Sequence, residues 1–481
     1  MPARSHQSQL VETSPFTTTP IFRRRAAREA FYRNAFLWGV GNGCVNSTFV
    51  IYYLKALVPN ASDSATLGTA IAWTVAAPRL IGALRLLTPW AIGLIGGRKR
   101  LCVGAATLAP LVLLALPLGA PLFERSATTA NGLNCAFFLI GAIWALYHLL
   151  EYVATAALWS WMGDSLSSAS RLRFFARRER RLLLGKLVGL AFVGGFAYLE
   201  SSSLFTFGKI DPSAWRVALP LLGVAFLTAS ALPLVRAPEI CVENVRKSGF
   251  SATLRQIAAP LRSRPFLSLV LFGVALQAIL GLTQAPQYYF RTTTMRLSLF
   301  ASLAATAVVN FGQWTTASRA ARFVARRGVP FACFSALGVV SLGFLLYAAT
   351  PSDAWGSIFV AALFWIAWVV VNVALNNEMT KRCEPSERSA FVAFYFTATT
   401  LSFGASTMVG GRLFDRFRDV VWEIPALDLE LDYCRLIFAL GAALLAAAPT
   451  LLLTRCKTPN PPRFQRLTVL FFRLPRFPAL R

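Results

Sequence analysis

Residues Trp159–Gly195 read WSWMGDSLSSASRLRFFARRERRLLLGKLVGLAFVGG, and this pattern occurs twice in the chain. An apolar segment ends near Asp164, a dense basic segment follows, and a second apolar segment ends in a glycine pair. A weaker copy, LNNEMTKRCEPSERSAFVAFYFTATTLSFGASTMVGG, occupies Leu375–Gly411, with Glu378 in the place of Asp164. A duplicated helical hairpin of this kind indicates a membrane protein built from two related halves.

The composition supports this interpretation. Hydrophobic residues make up 56% of the 481 residues and charged residues only 14%, whereas soluble proteins carry roughly 25% charged residues. The apolar residues form runs of about 20, the length at which a helix crosses a hydrocarbon core. The net charge of +27 lies in short segments between these runs, so it indicates membrane topology rather than a nucleic-acid partner.

The apolar runs predict an all-α polytopic protein with twelve membrane spans. Most of the 48 lysines and arginines fall on one side of the membrane if both termini lie on that side. Because basic loops stay in the cytoplasm, both termini are predicted to be cytoplasmic in a multi-pass protein of the plasma (inner) membrane. The predicted spans are at about residues 33–57, 67–88, 101–119, 134–161, 182–200, 215–235, 266–286, 298–318, 330–349, 354–376, 389–410 and 435–454.

The longest cytoplasmic connection divides the spans six and six. A short basic segment near the start is expected to lie on the membrane surface, and the basic, aromatic tail is expected to bind anionic lipid headgroups. The predicted parts are a cytoplasmic tail (1–30), an N-terminal six-helix bundle (31–236), a central cytoplasmic loop (237–264), a C-terminal six-helix bundle (265–455) and a basic cytoplasmic tail (456–481).

The six-plus-six arrangement, the long central loop and the basic loops 2–3 and 8–9 resemble the major facilitator superfamily (MFS) over nearly the whole chain. The loop 2–3 motif of that family is roughly G-x-x-x-D-R-x-G-R-K/R, and Gly97–Arg100 keeps its end here. Arg326–Gly328 keeps the same end in the second copy, and the acid of the motif is missing from both. The resemblance implies twelve transmembrane helices in two pseudo-symmetric six-helix bundles, a monomer, and a cavity lined by spans 1, 4, 7 and 10.

The fifth span, GKLVGLAFVGG, carries glycines at Gly185, Gly189, Gly194 and Gly195. Drug antiporters of the superfamily have a Gly-Pro step before this glycine pair, and the proline is missing here, so that subclass is not indicated. Small residues at four-residue spacing in membrane helices favour close helix packing.

Two acids at the cytoplasmic ends of spans 4 and 10 remain available for a gate. In the family, the acid of the loop motif latches the two bundles on the cytoplasmic side. Asp164 and Glu378 can pair with arginines of the neighbouring loops, so a modified latch is expected. The candidate gate residues are Asp164, Arg173, Arg98, Glu378, Arg388 and Arg326.

Span 4 contains His148 and Glu151, which are three residues apart and share a helix face. A carboxylate in mid-membrane costs several kcal/mol unless it is paired or protonated, so Glu151 and His148 are candidates for proton coupling. Alternatively, Glu151 forms a structural pair with Arg79 of span 2. A substrate-facing Arg79 would imply an anionic ligand, whereas Arg85 can extend toward the cytoplasmic surface. Two ligands are too few for a metal, and no metal site is predicted.

Amides and tryptophans on the expected cavity-lining spans suit a polar or amphipathic organic solute. Each of these side chains is also compatible with contact between helices or, for tryptophan, with a lipid-facing position. The candidates are Asn42 and Asn46 in span 1, Gln277 and Gln284 in span 7, and Trp368 and Asn372 in span 10.

The sequence therefore predicts a secondary active transporter that moves a small organic solute by alternating access, with protons as one candidate for the coupling ion. No Walker, HExxH or GxSxG sequence is present, so neither an enzyme nor a cofactor is predicted. The alternative is a membrane sensor or binding protein that keeps the MFS fold but has lost transport. The missing loop acids motivate this alternative.

Overall fold

The computed structural model describes residues 21–57, 67–126, 130–166, 168–201, 215–239, 250–350, 354, 356–384, 387–424 and 429–450. Within these ranges the chain is almost entirely helical. The helices are α1 (Ile21–Cys44), α2 (Ser47–Leu57), α3 (Leu67–Ile81), α4 (Thr88–Ile95), α5 (Arg98–Val112), α6 (Ala115–Ser126), α7 (Ala130–Ser165), α8 (Ser168–Ser201), α9 (Trp215–Ala229), α10 (Leu232–Arg236), α11 (Phe250–Arg262), α12 (Arg264–Tyr289), α13 (Leu299–Arg327), α14 (Val329–Ala349), α15 (Ser357–Phe364), α16 (Trp368–Arg382), α17 (Arg388–Phe417) and α18 (Tyr433–Ala447).

These helices form twelve spans in the order that the sequence predicts. Spans 1, 2, 3, 6 and 10 each consist of two helices, namely α1–α2, α3–α4, α5–α6, α9–α10 and α15–α16. Helices α7, α8, α12, α13, α14, α17 and α18 form the other seven spans, and α11 lies between spans 6 and 7. A short hairpin of β1 (Val421–Ile424) and β2 (Leu429–Asp432), not anticipated from the sequence, connects spans 11 and 12.

Eight helical segments in the described ranges are long and apolar enough to cross a membrane. The other four spans correspond to α1–α2, α8, α13 and α18. Helix α18 is apolar but only 15 residues long. The remaining three carry charged or amide side chains within their length, and all three line a polar pocket between the two halves. The chain is an all-α integral membrane protein whose least apolar spans surround its polar interior.

The packing of the spans has internal twofold symmetry. Span 1 packs most extensively against span 5, and span 7 packs in the same way against span 11. The two halves meet where span 2 packs on span 11 and where span 5 packs on span 8. Span 2 corresponds to span 8 in the other half, and span 11 corresponds to span 5. The two contacts between the halves are therefore equivalent to each other. The spans therefore form two pseudo-symmetric six-helix bundles.

Glycines allow the paired helices of the N-terminal half to approach closely. A Cβ atom on Gly185 would overlap the carbonyl oxygen of Phe36, and one on Gly189 would overlap that of Val40. The close packing expected at these two glycines is therefore confirmed. By contrast, a Cβ on Gly195 would meet nothing within 4 Å, so that glycine has no packing role among the described residues.

The C-terminal half repeats this arrangement in the packing of span 7 against span 11. A Cβ atom on Gly281 would overlap the carbonyl oxygen of Phe403, and one on Gly410 would overlap that of Leu282. The glycines of the two halves thus act at equivalent helix pairs, although they occupy different positions in the repeated sequence pattern.

Two segments expected outside the membrane spans are helical. Helix α8 begins at Ser168, so the basic residues before Gly185 form its first turns instead of a loop. Arginine and leucine favour helix, and the segment contains neither glycine nor proline. Helix α1 begins at Ile21 and buries Ala27 completely, so residues 21–30 continue span 1 rather than form a separate surface segment. Residues 1–20 and the predicted tail 456–481 lie outside the described residues.

The basic end of the molecule carries the loops between spans 2 and 3, 4 and 5, 8 and 9, and 10 and 11. Here the rings of Phe31 and Trp161 meet edge to face, with centroids 5.1 Å apart. Phe266 and Phe391 of the C-terminal half meet in the same way at 4.7 Å, and all four belong to one buried cluster. One buried hydrophobic cluster therefore extends across both halves at the basic end.

Candidate functional site

Span 1 is interrupted in its middle, where α1 ends at Cys44 and α2 begins at Ser47. The side chain of Asn46 stabilises the break, because its Oδ1 accepts a hydrogen bond from the Phe49 amide at 3.0 Å and its Nδ2 donates to the Gly43 carbonyl at 3.3 Å. Asparagine is a preferred residue at helix starts for this reason. Broken helices occur at membrane depth where they line a cavity.

A pocket of about 220 Å³ lies beside this break. Its walls come from spans 1 and 5 of the N-terminal half and from spans 7 and 8 of the C-terminal half. We call it the central pocket. Its lining residues are Asn42, Gly43, Asn46, Ser47, Thr48, Lys186, Leu190, Tyr288, Thr306 and Asn310. The structure therefore places two predicted cavity residues, Asn42 and Asn46, in a polar pocket between the halves.

Lys186 is the cation among the lining residues of the central pocket, and it was not among the candidates predicted from the sequence. Its Nζ lies 6.0 Å from the ring centroid of Trp38, and no carboxylate of the described residues lies within 4.0 Å of it. Glu179 and Glu151 are the acids that act on it electrostatically. The available signal was a single lysine inside an apolar run of span 5.

A second pocket of about 270 Å³ lies mainly within the N-terminal half, and we call it the N-half pocket. Spans 1, 3, 4, 5 and 6 line it, together with Asn372 and Asn376 of span 10. Lys186 contributes to the walls of both pockets, and Glu151 lines this one. Lys186 therefore lies between the central pocket and the acid that the sequence identified.

Glu151 is paired with His148. Its Oε2 lies 2.8 Å from His148 Nδ1, and the two side chains are 12% and 13% exposed. The imidazole packs edge to face on Trp144 at 4.4 Å and stacks on Tyr152 at 5.2 Å. The structural pair proposed between Glu151 and Arg79 is not formed, because the imidazole one turn earlier takes that place.

The two arginines of span 2 lie against aromatic rings. The Arg79 guanidinium is 5.0 Å from the ring centroid of Phe403 in span 11. The Arg85 guanidinium is 4.0 Å from Tyr152 and 5.7 Å from Phe396. Arg85 is only 2% exposed, so its expected extension to the surface is wrong: the rings of two neighbouring spans hold its cation in the interior. Neither arginine has a carboxylate of the described residues within 4.0 Å.

Asp164 joins the two halves at the basic end. This carboxylate is 2% exposed and forms ion pairs with Arg98, at the start of span 3, and with Arg388, at the start of span 11. The arginine from span 11 approaches closely because the neighbouring Gly163 has no side chain in its path. One acid therefore bridges a loop of the N-terminal half and a helix of the C-terminal half.

The other candidate gate residues do not belong to this bridge. Glu378 pairs within its own helix, with Arg382 at 2.9 Å and Lys381 at 3.7 Å. Arg173 and Arg326 are exposed and take part in none of the ion pairs between described residues. Three of the six predicted gate residues are thus together.

The two halves also touch at the opposite end of the molecule. The Tyr52 hydroxyl of span 1 donates to the Leu297 carbonyl at 2.7 Å and lies 2.9 Å from the Ser302 hydroxyl. Leu297 belongs to the connection between spans 7 and 8, and Ser302 lies in the first turn of span 8. Contacts between the halves therefore exist on both sides of the central pocket.

The remaining candidates lie apart from the central pocket. Gln277 and Gln284 are half-buried and line neither pocket. Trp368 packs on Trp365 with ring centroids 5.9 Å apart, next to a 3₁₀ segment that interrupts span 10. Asn372 lines the N-half pocket.

No family model and no curated protein matches the sequence, whereas solved structures match nearly the whole chain. The human organic anion transporter MFSD10 aligns at 13% identity and a TM-score of 0.59, covering 90% of this chain and 100% of that chain. A bacterial homologue of the iron transporter ferroportin, outward-facing, aligns at 13% identity and a TM-score of 0.62, covering 89% and 98%.

The xylose transporter XylE from E. coli, in a partially occluded inward-open conformation, aligns at 15% identity and a TM-score of 0.58, covering 92% of this chain and 100% of that chain. At such low identity the agreement concerns the path of the backbone. This chain therefore has the fold of the major facilitator superfamily transporters.

Proposed function

We propose that this protein is a secondary active transporter that moves a small organic solute by alternating access. The central pocket carries the proposal, because both halves line it and contacts between the halves lie on either side of it. Solved structures with the same fold include transporters of an organic anion, of nucleosides and of xylose. The protein is proposed to act as a monomer in the plasma membrane.

The basic end is proposed to face the cytoplasm, with both termini on that side. The loops at this end hold most of the lysines and arginines between spans, and cytoplasmic loops carry this excess. Asp164 with Arg98 and Arg388 is then the cytoplasmic gate, closed in this structure. Breaking the bridge and separating the halves at this end would open a path from the central pocket to the cytoplasm.

Glu151 and His148 are proposed to couple transport to protons. They form a hydrogen-bonded pair among the cations Arg79, Arg85 and Lys186. Protonation of either member changes the net charge of the N-half pocket by one unit. Such a change acts on the nearby Lys186, which also lines the central pocket.

Alternating access predicts that distances across the two ends change in opposite directions. We would place spin labels at Arg173 and Arg326 across the basic end, and at Leu118 and Ser298 across the opposite end, all exposed positions in different halves. The exposed Cys135, together with Cys241 and Cys456, would first be replaced by serine. Pulsed distance measurements in nanodiscs are expected to show two populations at each end.

The population with a longer distance at one end should match in size the population with a shorter distance at the other. One unchanging distance at both ends, in detergent and in lipid and at every pH, would contradict alternating access. That outcome would favour the sensor or binding protein that keeps the fold without transport.

Proton coupling predicts that the same populations depend on pH through Glu151. In the wild type, the fraction with an open basic end is expected to change between mildly acidic and mildly alkaline pH. Glu151→Gln fixes the uncharged form of this side chain and is expected to weaken this dependence strongly, because His148 is then the one member of the pair that can still change charge. Glu29→Gln is the matched control, because Glu29 is exposed and pairs only with Arg33 on its own helix. A pH response in Glu151→Gln that is as large as in the wild type would assign it to a group outside the pair.

A further inference from the structure

The polar interior of the N-terminal half holds more cations than anions. Arg79, Arg85 and Lys186 all act electrostatically on the region around Glu151. None of the three cations has a carboxylate of the described residues within 4.0 Å, and Glu151 is itself bound to His148. Ionised groups at membrane depth are costly when they are not paired.

The three cations differ in how they are already stabilised. Arg85 lies over two aromatic rings and donates from Nε to the Gly82 carbonyl at 3.2 Å. Arg79 lies over Phe403. Lys186 lines both pockets, and among the described residues its ammonium lies over one ring, that of Trp38 at 6.0 Å, while Glu179 and Glu151 act on it from beyond ion-pair distance. Lys186 is therefore the cation with the most to gain from an anion in the central pocket.

The walls around Lys186 supply further hydrogen-bond donors. Asn310 of span 8 lines the central pocket and is only 8% exposed. Its amide forms no hydrogen bond with another described residue, so its NH₂ remains free to donate to a molecule in the pocket. The hydroxyl of Tyr288 also lines this pocket, whereas the Thr306 hydroxyl already donates to the Ser302 carbonyl at 3.0 Å and can only accept. A lysine with amide and hydroxyl donors is a set that suits carboxylate oxygens.

We propose that the solute is a small organic anion whose carboxylate pairs with Lys186 in the central pocket, a proposal that rests on the transport function proposed above. The amide of Asn310 donates to the same carboxylate or to a neighbouring oxygen of the solute. The pocket volume of about 220 Å³ restricts the solute to the size of a small metabolite. Because Lys186 belongs to span 5 and Asn310 to span 8, the bound anion joins the two halves.

The test uses acids and their uncharged amides of nearly the same shape. Purified full-length protein would be mixed with lactate or lactamide, succinate or succinamide, and benzoate or benzamide, and its thermal stability measured. We expect at least one acid to raise the melting temperature where its amide does not. A ligand at 100 times its dissociation constant stabilises the folded state enough for a melting curve to detect.

Variants then assign the effect to the pocket. Lys186→Gln is expected to weaken binding of that acid by at least about tenfold, whereas Lys186→Arg keeps the charge and should keep part of the affinity. Asn310→Ala is a second variant that leaves the charge intact, and it should weaken the same acid less. Lys381→Gln is the matched control, because that lysine is 67% exposed at the basic end.

Three results would overturn the proposal: stabilisation by amides as strong as by acids, unchanged acid binding in Lys186→Gln, or no acid stabilising the wild type. If one of these results is obtained while the distances at the two ends still change in opposite directions, alternating access is retained and the solute has a different charge. Loss of the reciprocal changes as well would instead count against the transport function itself.

Discussion

Asp164→Asn is expected to open the basic end of the protein. The substitution keeps the shape of the side chain but removes the negative charge shared by Arg98 and Arg388. Removing one member of a buried ion pair costs about 3–5 kcal/mol. Arg98 is 20% exposed and can be hydrated in part, so the lower end of this range applies, about 3 kcal/mol. That corresponds to roughly a hundredfold shift in the equilibrium between closed and open states.

The spin-label pair at Arg173 and Arg326 measures this change directly, as growth of the population with the longer distance across the basic end. Glu378→Gln is the matched control, since Glu378 occupies the corresponding place in the second repeat but pairs within its own helix. Its distance distribution should stay close to that of the wild type. An Asp164→Asn variant with the same distribution as the control would show that the bridge does not hold the halves together.

Gly185→Val is expected to prevent span 1 from packing against span 5. Its side chain would overlap the backbone carbonyl of Phe36, and a backbone atom cannot move aside as a flexible side chain can. Overpacking typically costs about 1–3 kcal/mol, and overlap with the backbone of a paired helix belongs at the upper end or beyond. We expect loss of most of the monodisperse protein in size-exclusion chromatography and a clear fall in melting temperature.

Gly195→Val is the matched control for this change. It lies on the same helix, and a side chain there meets no described atom within 4 Å of its Cβ. Its yield and melting temperature should remain near those of the wild type. Gly410→Val, which overlaps the Leu282 carbonyl in the C-terminal half, should behave like Gly185→Val. Equal behaviour of Gly185→Val and Gly195→Val would contradict the close packing of the two helices.

The membrane architecture could be predicted from the sequence because it depends on properties that accumulate along the chain. Runs of about 20 apolar residues identify most spans, and the repeated hairpin identifies the two halves. The packing glycines Gly185 and Gly189 were also recognisable, since their four-residue spacing places them on one helix face. Local sequence predicted the start of α8 less well, because a basic segment can form either a loop or a helix.

The partners of the charged groups could not be predicted in the same way. Arg173 and Arg388 occupy equivalent places in the two repeats, yet only Arg388 reaches Asp164, because span 11 meets span 4 across the interface between halves. Arg85 was expected to extend to the surface and is instead held by Tyr152. In both cases the deciding neighbour belongs to another span, far away in the sequence.

The sequence by itself determined that the chain crosses the membrane in twelve spans, that it is built from two related halves, and that Glu151 lies at membrane depth beside His148. These properties follow from hydrophobic length and from helical spacing, which are local. Only the tertiary structure decided that Lys186 and Asn310 line one pocket between the halves and that Asp164 bridges the halves. Those contacts depend on how helices from different halves pack, and a single lysine or arginine has the same helix propensity whichever neighbour it meets.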